Sequence, residues 1–224
     1  MPLLSANGID GAEARVVLPR IGAWHLDATL NASDGIAEGD VVTVTIGAET
    51  ILRPLVLVGT ATRAQAFEDA LRVRVVAGAG GLGSTAAAKF YQGAQLRLVL
   101  ADLLAAAGET QSSTIDAGLL GILLSNWSTF ARSVGVELAT LLSVAPAETA
   151  WRMLADGTLW IGAETWPDAA LVYETHDRDP RRDRITLGVE SPTLLPGSTL
   201  DGERIGDVEH LVTAEHVTTI ARLA

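Results

Sequence analysis

The sequence predicts an α+β fold, β-dominated, with antiparallel barrel or sandwich regions on either side of a two-helix middle segment. Three observations carry this prediction. Residues 24–30 and 42–46 alternate apolar and polar side chains, the period-two pattern of half-buried strands. Residues 96–107 switch to helical spacing, with apolar side chains three and four apart. Beyond residue 148 the alternation returns around an Asp-Gly turn. With 224 residues, 48% of them hydrophobic and 19% charged, the chain can bury a sizeable core as one large domain or two small ones.

The elements follow in order. Trp24, Leu26, Ala28 and Leu30 alternate with His25, Asp27, Thr29 and Asn31, and Val42, Val44 and Ile46 alternate with Thr43 and Thr45. Between them, Ser33-Asp34-Gly35 and Glu38-Gly39-Asp40 supply turn chemistry. A third run, Ile51 to Val58, contains Pro54, which lacks the N–H a central strand needs and so marks an edge or a break. Leu71, Val73 and Val75 alternate with Arg72 and Arg74 in a fourth. Leu96, Val99, Leu100, Leu103, Leu104 and Ala107 make one face of a helix that Gly108 stops. A second helix is expected around Ser128 to Ser143, capped by Ser128, weakened by Gly135 and followed by Pro146. Thr149–Leu154 and Thr158–Gly162 flank Asp156-Gly157 as a hairpin. Leu171 and Tyr173 are expected to pair with Ile185, Leu187 and Val189 across a loop holding Asp177 to Arg184. Val208–Val212 and Val217–Leu223 close the chain as a last hairpin. The expected boundaries are a β region at 1–91, a helical segment at 92–148 and a β region at 149–224. Two small β domains, or one β domain with a helical insertion, both fit.

Composition narrows the function classes. Sixteen Lys and Arg against 27 Asp and Glu leave a net charge of −11, a poor match to a phosphate backbone. The absence of cysteine removes a disulfide scaffold, a thiolate zinc site and a cysteine nucleophile. The start of the chain lacks the basic and apolar regions of a secretory signal. The most apolar stretch, residues 117–147, is interrupted by Asn126, Arg132 and Glu137, so no membrane insertion is expected.

Several motifs have both a chemical and a structural reading. Gly78-Ala79-Gly80-Gly81-Leu82-Gly83 matches the G-x-G-x-x-G of dinucleotide sites, where glycines let a pyrophosphate approach a helix N-terminus. Its context argues for a plain glycine-rich loop. The preceding strand alternates Arg with Val instead of being apolar on both faces, and Asp102, the acid at cofactor spacing, falls inside a helix. His210 and His216, beside Glu209 and Glu215, could meet a metal across a hairpin, but no H-x-H or H-x-x-x-H spacing forces them to. His25 and His176 stand apart from them. No G-x-S-x-G elbow supports a serine hydrolase. The acid pairs Glu164/Asp168 and Asp177/Asp179 fall in expected loops and read as solvated. Trp151, Trp160 and Trp166 surround the Asp-Gly hairpin, as a sugar platform or, more simply, as core. Arg178, Arg181, Arg182 and Arg184 crowd one loop with Asp177, Asp179 and Asp183, as a solvated tip or a docking loop built on Arg–carboxylate pairs. No catalytic residue, cofactor or metal ligand is assigned.

The order of three segments resembles a known family. Tyr91-Gln92-Gly93 through Leu100-Ala101-Asp102-Leu103-Leu104 to Ala107-Gly108 is similar to the Y-x-G…L-x-D-L-L-x-x-A-G segment of phage tail hub proteins. Trp151 to Gly162 resembles their W-x-x-x-x-D-G-x-x-W-x-G hairpin. Pro196-Gly197 through Gly202, with Ile205, Val208 and His210, is similar to their closing strands. The resemblance spans most of the chain from about residue 60, and its motifs are structural. It implies tail-tube-like β domains and a baseplate hub, or tail-tip, protein that is not an enzyme and works without a cofactor. Such a hub forms a homotrimeric ring, joins the tail tube protein to spike or tail-tip proteins, and encloses a channel through which DNA passes without specific binding. Its location would be the virion tail, after assembly in the host cytoplasm. An acidic channel wall would repel DNA and let it slide. The expected interface residues are Arg178, Arg181, Arg182 and Arg184, the loop glycines Gly78, Gly80 and Gly83, and exposed strand edges. The hub of a contractile injection system, a dinucleotide-binding enzyme using the Gly78–Gly83 loop, and a glycan-binding tip module using Trp160 or Trp166 are the alternative functions.

Overall fold

A computed structural model describes residues 3–47, 54–146, 148–169, 173–187 and 192–224. The first six strands are β1 (Leu4–Ala6), β2 (Ile9–Leu18), β3 (His25–Leu30), β4 (Val41–Ile46), β5 (Leu55–Phe67) and β6 (Ala70–Ala77). They pair antiparallel in the order β1-β4-β5-β6-β3-β2, and β1 also pairs with β2, so the sheet closes on itself as a barrel. Closure follows from the alternation. Leu26, Leu30, Val42, Val44, Ile46, Leu57 and Val75 are all buried on the inner face, and closing the sheet removes the exposed edges that an open one would leave. Trp24 enters the barrel just before β3, and its Nε1 donates to the carbonyl of Leu154 at 3.0 Å. Residues 51–53, part of the predicted third strand, lie outside the described residues; β5 begins directly after Pro54.

The middle of the chain holds β7 (Lys89–Gln95), α1 (Leu96–Ala107), α2 (Ala117–Leu120), β8 (Leu123–Thr129) and α3 (Val134–Leu142). α1 matches the predicted helix, and Gly108 ends it in the left-handed region at φ 69°. The second helix is shorter than predicted. Residues 123–129 are a strand paired with β7, and Ser133, not Ser128, precedes the helix. Thr129 explains part of the difference: its hydroxyl donates to the Ala87 carbonyl and accepts from Lys89 N–H, which ties this segment to β7. No helix among the described residues is long and apolar enough to cross a membrane.

The last third contains β9 (Thr149–Met153), β10 (Leu159–Ala163), β11 (Thr175–Asp179), β12 (Arg184–Leu187), β13 (Thr199–Leu200), β14 (Glu203–Val212) and β15 (Val217–Leu223). β9 and β10 form the predicted Asp-Gly hairpin. β14 and β15 form the last hairpin, but they are not a separate sheet. Residues 208–212 pair with residues 14–18 of β2, which offers its other end to β1. The barrel sheet therefore runs on through β14-β15-β12-β11. The predicted loop from Asp177 to Arg184 is shorter in fact. Residues 177–179 belong to β11 and Arg184 begins β12, leaving a turn at 180–183. Leu171 and Val189, expected in this pair, lie outside the described residues.

Candidate assembly surfaces

The glycine-rich loop is occupied from within the chain. It follows β6 and makes one short 3-10 turn, Gly81–Gly83, instead of opening a helix. The Glu109 carboxylate, just past α1, accepts from Ala79 N–H and Gly81 N–H, each at 2.9 Å. These are the donors a pyrophosphate would need, and a carboxylate already fills them. Sequence reasoning missed Glu109, because nothing in its neighbourhood marks an acid that binds a loop 28 to 30 residues earlier.

Gly78 lies at the meeting point of the loop with the tip of the β9–β10 hairpin. A Cβ on Gly78 would fall 2.2 Å from Glu109 Oε2, 2.5 Å from Met153 Cε and 2.9 Å from the Gly157 carbonyl. Gly157 itself turns at φ 80°, and a Cβ there would lie 2.8 Å from the Val58 carbonyl. Two glycines are needed because two backbones touch. Val58 N–H donates to the Ala155 carbonyl at 2.7 Å, and Gly22 exchanges hydrogen bonds with Trp151 and Met153. The hairpin is thus fastened to the barrel. Of the predicted interface glycines, Gly78 serves this internal joint, a Cβ on Gly80 would lie 3.2 Å from Thr62 Cγ2, and Gly83 has open space around it.

On the hairpin's other side, Arg152 and Trp160 are directly opposite in register. The guanidinium lies 4.5 Å from the ring centroid and also pairs with Glu164 at 2.6 Å. The Glu164 side chain is nearly fully buried, and among the described residues this one cation holds its carboxylate. Trp151 is in the core, whereas Trp160 and Trp166 are half-buried. Arg20 and Arg204 lie over the Trp166 ring at 5.7 and 4.8 Å. Arginines therefore already stack on the two rings that a sugar would use.

The arginine hairpin sits at the end of the sheet, where β11 is the last strand among those described. Arg178 pairs with Glu203 and Arg182 with Asp179, while Arg181 stays exposed at the tip. Arg184 is half-buried and directly opposite Arg222 on β15. The structure thus brings the four arginines to one edge, with carboxylates neutralising two of them.

The histidines do not converge. His210 is fully buried, its Nδ1 3.0 Å from Thr219 Oγ1 and its Nε2 without a partner among the described residues. Burial pushes its pKa down to about 4. His216 is exposed on the β14–β15 turn beside Thr213. Among the described residues no group of three His, Asp or Glu side chains could hold a metal ion.

The outward face of the barrel sheet carries paired charges. Arg15 binds Glu209 at 2.6 Å, Arg74 binds Asp27 at 3.3 Å, and Glu13 accepts from the Thr29 hydroxyl at 3.1 Å. Exposed acids without a cation in ion-pair range among the described residues gather in the β3–β4 loop, at Asp34, Glu38 and Asp40.

No protein-family model and no curated protein matches the sequence. The fold does match solved structures. The 43 kDa tail protein of prophage MuSo2 from Shewanella oneidensis aligns with a TM-score of 0.67 at 11% identity, over 99% of this chain and 96% of that one. A tail protein from Neisseria meningitidis MC58 gives 0.64 at 13%, over 99% and 95%. The E. coli c3393 protein, a type VI secretion component described as structurally similar to the T4 bacteriophage tail proteins gp27 and gp5, gives 0.66 at 13%, over 99% and 76%. At these identities the likeness is one of fold. It agrees with the resemblance read from residues 91–108, 151–162 and 196–210.

Proposed function

We propose that a chain built on the tail-protein fold from end to end is a structural part of a phage-type tail tip, a baseplate hub. It closes as a homotrimeric ring between the tail tube protein and the spike or tail-tip proteins, with DNA passing through the channel. The observation that carries this reading is that the fold aligns over nearly the whole chain with two tail proteins and a type VI secretion component. Location in the virion tail, after assembly in the host cytoplasm, follows from the same reading. The hub of a contractile injection system is the second reading, and the likeness to the type VI component favours it.

The site chemistry supports a structural role. The glycine loop holds its own carboxylate, which counts against a dinucleotide enzyme. Arginines over Trp160 and Trp166 count against a glycan platform. The arginine hairpin and the outer edge of β11, the last strand among the described residues, then serve as docking elements for a neighbouring subunit, where Arg181 and the outer rim of Arg182 remain available for carboxylates. An acidic channel wall draws on the excess of acids that lie outside the subunit contacts; a basic channel lining would contradict it. Negative-stain images of the purified oligomer test the ring. Threefold class averages with a central opening are expected, and a closed twofold particle would reject the hub.

A further inference from the structure

The outward face of the β5–β6 hairpin carries three arginines, of which one is paired with a carboxylate among the described residues. Arg63 and Arg74 are directly opposite in register, and Arg72 lies two residues along β6 on the same face. Like charges opposite each other weaken a strand pair unless an opposite charge approaches. Arg74 finds Asp27. Arg63 donates to the Gln65 side-chain oxygen at 3.1 Å, and Arg72 lies 5.0 Å over the exposed Phe67 ring. Among the described residues neither has a carboxylate in ion-pair range. With Arg15, these arginines line an open groove of about 510 Å³, where four arginines meet the two carboxylates Glu13 and Asp27. Cations left over in one groove are conspicuous in a chain of net charge −11.

The other face of the same hairpin is the opposite. Ala64, Ala66 and Leu71 line a hollow with the β3–β4 loop, which exposes Asp34 and Glu38 and contributes no cation. Asp40 is partly engaged, accepting from Ala37 N–H at 2.7 Å. The hairpin stands between the cationic groove and the anionic loop, so the two cannot neutralise each other within one chain. They can do so between copies.

We propose that this is a head-to-tail contact between two copies of the chain: Asp34 and Glu38 of one copy enter the groove formed by Arg63, Arg72 and Arg74 of the next. The inference rests on the ring reading and names the contact that builds it. A heterologous contact, repeated with a fixed rotation, closes a ring. Nucleic acid phosphate is the competing occupant of an arginine groove, but it would approach against the net negative charge of the whole chain.

The test is a charge swap read by native mass at low and high salt, with circular dichroism to check folding. R63E/R72E and D34R/E38R should each weaken self-association by at least about a hundredfold, since each sets like charges against each other. The combined four-residue swap should restore it. Wild-type association that survives both reversals overturns this contact while leaving the ring reading standing. A wild-type chain that stays monomeric at every concentration overturns both. Unchanged mass in R63E/R72E together with loss of binding to a labelled DNA duplex assigns the groove to nucleic acid instead.

Discussion

Replacing Glu109 with alanine isolates the contact that decides how the glycine loop is used. The carboxylate accepts two backbone N–H groups at 2.9 Å and is nearly buried. Hydrogen bonds to a charged group contribute roughly 1.5–3 kcal/mol each, and the two share one carboxylate, so about 3 kcal/mol is expected in total. Unfolding entropy of about 2.1 cal/mol/K per residue converts that loss into a fall in Tm of roughly 6 °C for a chain this long. Glu109→Gln keeps one acceptor and loses the charge, so its fall should be about half as large. Differential scanning calorimetry reads both. Isothermal titration with NAD and ATP reads the alternative, in which a vacated loop would gain anion binding. A Glu109→Ala protein that melts within about 1 °C of wild type would refute the anchoring argument. One that melts unchanged and also binds a nucleotide would return the loop to cofactor binding.

Four further outcomes follow. The folded-state pKa of His210, about 4 against 6.5 unfolded, means that the unfolded chain takes up the proton first as pH falls. Stability is therefore fully present above about pH 6.5 and declines toward pH 4, by about 3 kcal/mol, and the slope of Tm against pH should flatten in His210→Gln. Arg152→Ala strands the buried Glu164 carboxylate and should cost about 3–4 kcal/mol in urea unfolding, whereas Glu164→Ala leaves a more exposed arginine still stacked on Trp160 and should cost less; equal costs would contradict the asymmetry. Gly157→Ala forces a Cβ toward the Val58 carbonyl at positive φ and should cost about 2 kcal/mol, while Gly83→Ala, with open space around it, should cost under 1 kcal/mol. Tryptophan quenching by acrylamide should reach Trp160 and Trp166 before Trp24 and Trp151, and added oligosaccharides should leave it unchanged.

Much of the fold was legible because burial on one face imposes a period. β3, β4, β6 and α1 bury one face each and announce themselves. β1 is too short to show a pattern, and β2 dilutes its alternation with Gly11, Ala12 and Ala14, the first a glycine because Leu4 packs where its Cβ would be. The β7–β8 ribbon exposes Phe90, Ser125 and Ser128, so its residues gave no strand period, and the helix pattern of residues 134–142 was extended over them. β11 is polar on both faces, which is how an edge strand avoids aggregation and why it read as a loop. The Arg152–Trp160 stack was within reach, since both lie at equal distance from Asp156 in the hairpin. The pairing of β14 with β2 joins residues nearly two hundred positions apart, and no local signal encodes it.

A hub of the proposed kind stands or falls on three chains associating through charged contacts. Sedimentation equilibrium across a concentration series measures this. The expected species has three times the 23.4 kDa chain mass and dissociates as salt rises. A strict monomer, or a dimer insensitive to salt, would contradict it.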